Sequence, residues 1–274
     1  MKAAWKSWLR SRVPAWRPVW WRRRFGWRWI EGDYANWVAA RAACRGYDHA
    51  AELACVLAAA RASRRGEASW DRDGFTFTTP AAHEPLLAAL RAIAGEYGRL
   101  DVVDVGGALG STWWQHRSWL PAVPVSWRIV DQPAWVEAGR REFADDVLSF
   151  HLTVAEAAAG RGPNVALLSS VLPYVESPTA LLKEIVARRF PHLIVDRTGF
   201  IAGTRDRLAI QRVPPTLGGG SYPCWLFAPE SLFAILRLDY LLVAEWPGFD
   251  QLDHLAEYRG SHWRRKPPSS PPNP

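Results

Sequence analysis

The chain has 274 residues, 49% of them hydrophobic, which is enough for one large α/β domain with an accessory segment. Its net charge of +7 is unevenly spread: residues 1–30 hold nine Lys or Arg and no acid, so the rest of the chain carries −2. That body has no basic surface calling for nucleic acid, and three cysteines argue against a disulfide framework. The absence of a long uncharged apolar run and of a secretory core points to a cytoplasmic protein without a membrane-spanning helix.

Four stretches follow one another: a basic tail (1–32), a helical N-terminal segment with a hairpin (33–98), an α/β domain (99–266) and a Pro/Ser ending (267–274). The tail interleaves seven Trp, from Trp5 to Trp29, with arginines, and Pro14 and Pro18 prevent one continuous helix. Indoles and guanidinium groups suit an anionic membrane surface, which makes peripheral association with the inner membrane face the expectation. Packing of the indoles on the globular body, or plain disorder, are the alternatives.

Residues 33–66 read as two helices, the first capped by Asn36 or Asp33 and the second by Asp48. Asp73-Gly74 between β-prone residues signals a hairpin over Trp70–Phe77. Pro85 to Tyr97 reads as a helix closed by Gly98. From residue 99, strands and helices alternate, which predicts a Rossmann-like, doubly wound α/β sheet, mostly parallel, with an antiparallel closing strand. Strands are expected at 102–105, 126–130, 148–152, 164–168 and 192–195. Helices are expected over 133–143, with Glu137 and Arg141 one turn apart, after Ser177-Pro178, and over 229–236. Residues 199–225 read as a long irregular stretch, and 241–246 with 255–263 as the closing antiparallel pair. The ending, PPSSPPNP, is expected to be disordered.

The organising stretch is LDVVDVGGALGSTWWQ at 100–115. A buried strand runs into the glycine turn Gly106-Gly107-Ala108-Leu109-Gly110, and Thr112 with Gln115 has the spacing of a capping box. Strand, glycine turn and helix build a ligand site at the carboxyl end of a strand. Counted as G-x-G-x-x-G, two of three glycines are missing, which disfavours a dinucleotide oxidoreductase. Counted as D-x-G-x-G-x-G from Asp104, one is replaced, by Ala108.

That second pattern resembles the first motif of the class I S-adenosylmethionine-dependent methyltransferases. Over residues 31–263 the chain also resembles an uncharacterised bacterial methyltransferase family associated with surface-polysaccharide gene clusters. The matching segments are GYD at 46–48, DVGGALGST at 104–112, QHR at 115–117, EAGRREFAD at 137–145, DRTGF at 196–200, RDRL at 205–208, VPP at 213–215 and SYPCW at 221–225. The resemblance implies S-adenosyl-L-methionine as cofactor. Asp104, Gly106, Gly107, Ala108 and Gly110 would border its methionine and ribose end, Asp131 would accept the ribose hydroxyls, and Ser169 and Ser170 would line the site. His151 and Leu152 fall where the fold meets adenine, in place of the usual acid or amide. Asp131 could otherwise cap the helix at Pro133.

Methyl transfer to a hydroxyl benefits from a general base, and Asp196, at a strand end, is the first candidate. An ion pair with Arg197 or Arg207 is its alternative role. Arg197, Asp206, Arg207, Tyr222 and His116 are further candidates, and Cys224, between Pro223 and Trp225, reads as a structural thiol. The histidines lack metal-ligand spacing, so no metal is expected. The expected activity is O-methylation of a sugar, a glycan or a small polar metabolite. A non-catalytic scaffold and an NAD-dependent oxidoreductase are the competing readings.

Overall fold

Side-chain alternation along buried strands sets the architecture. In β4 (Leu100–Val105), Leu100 and Val102 join one hydrophobic layer while Val103 and Val105 join the other. A strand buried on both faces needs helices above and below it. The computed structural model describes residues 29–46, 49–160, 162–213, 219–248 and 256–267. The tail before residue 29, the Asp48 cap and the ending from 268 lie outside the described residues.

The first layer holds α2 (His49–Arg64), α3 (Glu84–Tyr97) and α5 (Pro133–Glu142), placing Leu86, Leu90, Ile93 and Val136 against Val102, Ile129 and Val165. The second holds the short α6 (Val154–Ala157), α7 (Pro178–Ala187) and α8 (Pro229–Asp239), with Leu182, Ile185 and Phe233 against Val103, Leu168 and Val195. Each fully buried Leu, Ile, Val or Phe contributes about 1.5–3 kcal/mol relative to exposure. The segment before residue 99 therefore shares the main core through α2 and α3.

Between these layers lies a seven-stranded sheet. Its remaining strands are β5 (Val125–Val130), β6 (Leu148–His151), β7 (Val165–Ser169), β8 (His192–Ile201), β11 (Tyr240–Pro247) and β12 (Ala256–Arg265). The order is β11-β12-β8-β7-β4-β5-β6. β4 to β8 run parallel, β12 runs antiparallel to β8, and β11 antiparallel to β12. This is the Rossmann-like sheet with its antiparallel closing pair. Chain direction across the sheet reverses beside β4, so the crevice outside its carboxyl end is the switch point where ligands of open α/β sheets bind.

Several local expectations change. Residues 199–225 are largely ordered: β8 extends to Ile201, and β9 (Arg207–Arg212) lies between β10 (Ser221–Leu226) and β1 (Ile30–Glu31) in a second, antiparallel sheet. β9 and β10 pair as neighbours in sequence, whereas β1 joins them from far back in the chain, which local pattern does not reveal. The capping box is absent: α4 (Ser111–His116) follows Gly110 at φ 87° without a side-chain cap, and Gln115 instead accepts from Arg72 and donates to the Ala81 carbonyl. Ser177 precedes α7 but makes no side-chain cap, and Arg141 pairs with Glu142. Asn36 does cap α1 (Trp37–Ala43), accepting from Ala39 N–H at 2.9 Å, while Asp33 pairs with Arg205. Asp73 and Gly74, at φ 51° and 80°, turn the hairpin of β2 (Trp70–Arg72) and β3 (Phe75–Phe77). Among the described residues no helix is long and apolar enough to cross a membrane.

Candidate functional site

The glycine turn leaves β4 with its backbone tied to β5: Gly106 N–H donates to the Val130 carbonyl at 2.8 Å. Gly106 sits at φ 72°, and a Cβ there would come within 2.6 Å of the Val171 side chain. A Cβ on Gly107 would meet the Asp104 carboxyl at 2.7 Å. Neither position has room for a side chain. Ala108, where the motif elsewhere has glycine, also takes a left-handed φ of 51°.

Asp131 stands at the end of β5, across the crevice. Its Oδ2 accepts from Ala108 N–H at 2.9 Å and its Oδ1 from Gln132 N–H at 2.7 Å. Asp131 thus ties the turn to the end of β5, while α5 follows Gln132 without a side-chain cap, so the alternative cap role is not realised. A carboxylate has about four lone-pair sites, so each oxygen retains capacity for a further donor such as a diol. Burial raises its pKa against the pull of those two N–H groups.

Asp104 lies beneath the turn, buried, with Oδ2 accepting from Trp127 Nε1 at 2.9 Å. Burial, reinforced by the charge of Asp131, pushes its pKa up to about 7. From that position it supports the turn from below. On the far side of the turn, Ser170, at φ 62°, donates its N–H to the Asp196 carbonyl, and Ser169 Oγ approaches Asp196 Oδ2 at 3.5 Å. His151 bonds Ser149 at 3.0 Å, Leu152 is half exposed, and Leu152 N–H donates to Glu156 Oε2. Glu156 thus brings a carboxylate close to the edge where an acid or amide was missing from the sequence.

Asp196 is 1% exposed. Its Oδ1 accepts from Trp246 Nε1 at 2.9 Å, and its Oδ2 faces His83 Nδ1 at 3.4 Å. Burial alone would raise its pKa, but the hydrogen bond and charge of His83, with Trp246 and Arg197, outweigh it and hold the carboxyl below its ordinary value. Of the two arginines weighed as ion-pair partners of Asp196, Arg197 reaches Asp73 at 3.3 Å and Arg207 donates to the Gly32 carbonyl. His116 is fully buried between the Thr112 carbonyl at Nδ1 and the His83 N–H at Nε2, and burial lowers its pKa to about 4. Both ring nitrogens are engaged, which removes it as a base. Asp206 accepts from Ala228 N–H, Tyr222 stacks edge-on to Tyr174, and Cys224 is buried.

The structure therefore brings Gly106–Gly110, Asp131, Ser169, Ser170 and Asp196 to one edge of the sheet, with Asp104 below it. His83, Trp246, Val171 and Arg72 join them without any local motif to announce them. Backbone strain gathers here too. Of the five non-glycine residues with positive φ among the described residues, Ala108, Ser170 and Arg197 follow β4, β7 or lie within β8 at this edge, and Asp73 pairs with Arg197. Among the described residues, no group of three His, Cys, Asp or Glu is placed to hold a metal ion.

Strand order, glycine turn and the acid at the end of the next strand together define a Rossmann-like, mostly parallel α/β fold. No protein-family model matches the chain, and no curated protein sequence matches it. Among solved structures the chain is similar to the N-terminal domain of EvdMO1, crystallised with S-adenosylhomocysteine and D-fucose. That similarity has 16% identity and a TM-score of 0.46, over 75% of this chain and 96% of that one. It is also similar to the cyclase SpnF, at 14% identity and a TM-score of 0.49, over 78% and 93% of the two chains. A third is the 1,6-didemethyltoxoflavin-N1-methyltransferase of Burkholderia thailandensis, at 17% identity and a TM-score of 0.42, over 82% and 95%.

Proposed function

We propose that the chain is an S-adenosylmethionine-dependent methyltransferase acting on a hydroxyl of a sugar, glycan or small polar metabolite. The observation carrying this reading is the pairing of Asp131 with the glycine turn. A turn without room for side chains faces a carboxylate whose orientation is fixed by two backbone N–H groups. Such a carboxylate suits a ribose diol, and the turn suits close approach of a cofactor to backbone. Gly106, Gly107, Ala108, Gly110, Ser169 and Ser170 would border the cofactor, with Asp104 beneath them. Bound there, it would supply an electrophilic methyl group on a sulfonium.

The protein would hold the acceptor oxygen in line with that methyl group and keep water out. Positioning of this kind can remove about 7–11 kcal/mol of barrier. The near-neutral body and the absence of a basic groove motif favour a small polar acceptor over nucleic acid. Calorimetric titration with S-adenosylhomocysteine and, separately, with NADH tests the reading. Binding of the first and not the second is expected; the reverse would assign the chain to the oxidoreductases, and binding of neither would leave a scaffold.

The Trp/Arg tail adds a location to this reading: a cytoplasmic enzyme held at the inner membrane face. Its nine positive charges would each contribute about 1 kcal/mol near an anionic leaflet, screened by salt. Co-sedimentation with anionic vesicles should weaken at high salt and be lost in a chain starting at Glu31; equal pelleting of both chains would refute it.

A further inference from the structure

We propose that the corner formed by the end of α8 and the start of β11 docks on an anionic lipid bilayer. This contact is independent of the methyl-transfer reading. It adds a folded surface to the tail anchoring proposed above and can fail while that anchoring holds.

β11 is the edge strand of the seven-stranded sheet. Edges left to water are blunted by charge or covered by another element; this one carries aliphatic side chains. Leu238, at the end of α8, is 74% exposed, and Leu241, Leu242 and Val243 are about half exposed. These are four of the nine large hydrophobic side chains exposed among the described residues, so the exposure is concentrated at one place. Tyr240, just before the run, is buried and donates its hydroxyl to the Phe190 carbonyl at 2.9 Å, which anchors the strand where the exposure begins. A bulge between Leu242 and Ala244 puts Val243 outside the register with β12. Bulges bend a strand and re-aim its side chains, and every residue from Leu241 to Glu245 is exposed. A contiguous group of this kind marks a contact with another protein or with a membrane.

Cations surround the group. Across the ladder Leu241 faces Arg264 and Tyr240 faces Arg265. Lys266 Nζ donates to the Arg237 carbonyl at 2.7 Å and to the Leu238 carbonyl at 3.2 Å. Arg265 reaches the Arg189 carbonyl at 3.3 Å, which brings Arg188 and Arg189, just after α7, to the same corner. Six cations thus meet four carboxylates: Glu96 on Arg264, Glu184 on Arg188, Glu230 on Arg237, and Asp239. The corner carries +2, although residues 31–274 together carry −2.

Charge and apolar surface together select the occupant. Anionic headgroups answer the positive rim, and the aliphatic side chains enter the boundary between headgroups and acyl chains. Binding of this kind scales with buried apolar area plus attraction to anionic lipid. A second copy paired about a two-fold axis would set one positive corner against another. Nucleic acid would answer the charge but gains little from aliphatic side chains, since single strands take aromatic stacking platforms.

β11 runs parallel to β8, because both are antiparallel to β12. Its start therefore lies at the amino edge of the parallel strands, and the glycine turn lies at the carboxyl edge. A bilayer at this corner leaves the crevice beside Asp131 open to solution.

Hydrogen exchange of the full chain, read by mass spectrometry, reports the tail and the corner in separate peptides. The vesicles are phosphatidylcholine alone or phosphatidylcholine with phosphatidylglycerol. Peptides covering 238–244 should gain protection with the anionic vesicles, lose it at high salt, and gain none with phosphatidylcholine alone. Protection confined to the tail would overturn the proposal and leave the tail anchoring intact. Protection of 238–244 already present without vesicles would also overturn it, by assigning the surface to a second copy or to another segment of the chain. Protection by single-stranded RNA in place of vesicles would do the same. The double variant Leu241→Asp, Val243→Asp should partition onto anionic vesicles about tenfold more weakly than wild type, with thermal unfolding unchanged. Wild-type partitioning in the folded variant would contradict the assignment, and if the variant unfolds, exchange in the wild-type chain still decides.

Discussion

β8 carries one buried histidine–carboxylate arrangement at its start and another at its middle, and the two are built inside out relative to one another. At its start, His192 Nδ1 meets His262 Nε2 at 3.0 Å while Glu96, 3.5 Å from His192 Nε2, sits on the rim with its side chain 35% exposed. Farther along, the carboxylate of Asp196 is inside and His83 sits at the margin. In the first cluster the histidines are enclosed without an internal anion, so burial lowers the pKa of both, that of His262 to about 4. In the second, the buried group is a carboxylate held by hydrogen bonds, and its pKa is lowered despite its burial. The same residue types are thus enclosed in opposite order, histidines inside at the start of the strand and a carboxylate inside at its middle. Their order of burial makes the difference between the two clusters.

Removing the acid from each cluster should give the widest contrast. Asp196→Ala strands the Trp246 N–H and His83 Nδ1 in a closed site and should cost about 3–5 kcal/mol of stability. Glu96→Ala removes a rim carboxylate and should cost about 1 kcal/mol or less. Denaturant unfolding checks both, and equal costs would erase the distinction.

Acid stability sharpens the same contrast. His262 and His116 have native pKa values lowered to about 4 from 6.5, so the unfolded chain takes up protons first as pH falls. Stability is retained above about pH 6.5 and lost between there and pH 4. His262→Gln should remove on the order of 1–3 kcal/mol of that loss, seen as a shallower decline in unfolding free energy from pH 7 to pH 4.5. Asp104 acts oppositely, since its raised value stabilises most below about pH 4 and loses that contribution by pH 7. An unchanged decline in His262→Gln would place the acid sensitivity elsewhere.

The smallest effect belongs to the glycine turn. Ala108 holds φ 51° with a Cβ, a conformation costing an L-residue roughly 1–2 kcal/mol. Ala108→Gly should relieve this strain, partly offset by the freer unfolded chain, for a net gain below about 1 kcal/mol in thermal unfolding. Cofactor affinity should stay unchanged. A net loss would mean that the Ala108 methyl packs against something the motif needs.

Periodicity and turn chemistry made most of the sheet legible in the sequence. The apolar β-branched run Val102–Val105, the Asp-Gly hairpin and Gly98 each encode local geometry in the residue itself. The Thr112/Gln115 spacing misled because Gln115 is claimed by Arg72 and Ala81 from the preceding segment. In the sheet of β1, β9 and β10, the place of β1 was hidden because it pairs across roughly 180 residues, as Ile30 with Gln211 shows, while β9 and β10 pair as sequence neighbours in a stretch whose Pro and Gly residues read as irregular. The candidate cofactor residues could be named because they sit on contiguous strand-turn units. His83 could not, because only the fold brings the segment before α3 onto Asp196, and no spacing rule describes that meeting.

The most direct test of the account is the affinity of Asp131→Ala for S-adenosylhomocysteine, measured by calorimetry beside the wild type. Asp131 is the one side chain proposed both to fix the glycine turn and to receive the diol. Its loss should weaken binding by about 1.5–3 kcal/mol, roughly 10- to 150-fold in Kd, with the protein still folded. An unchanged Kd, or a wild type that does not bind, would contradict the assignment of this edge of the sheet as a cofactor site.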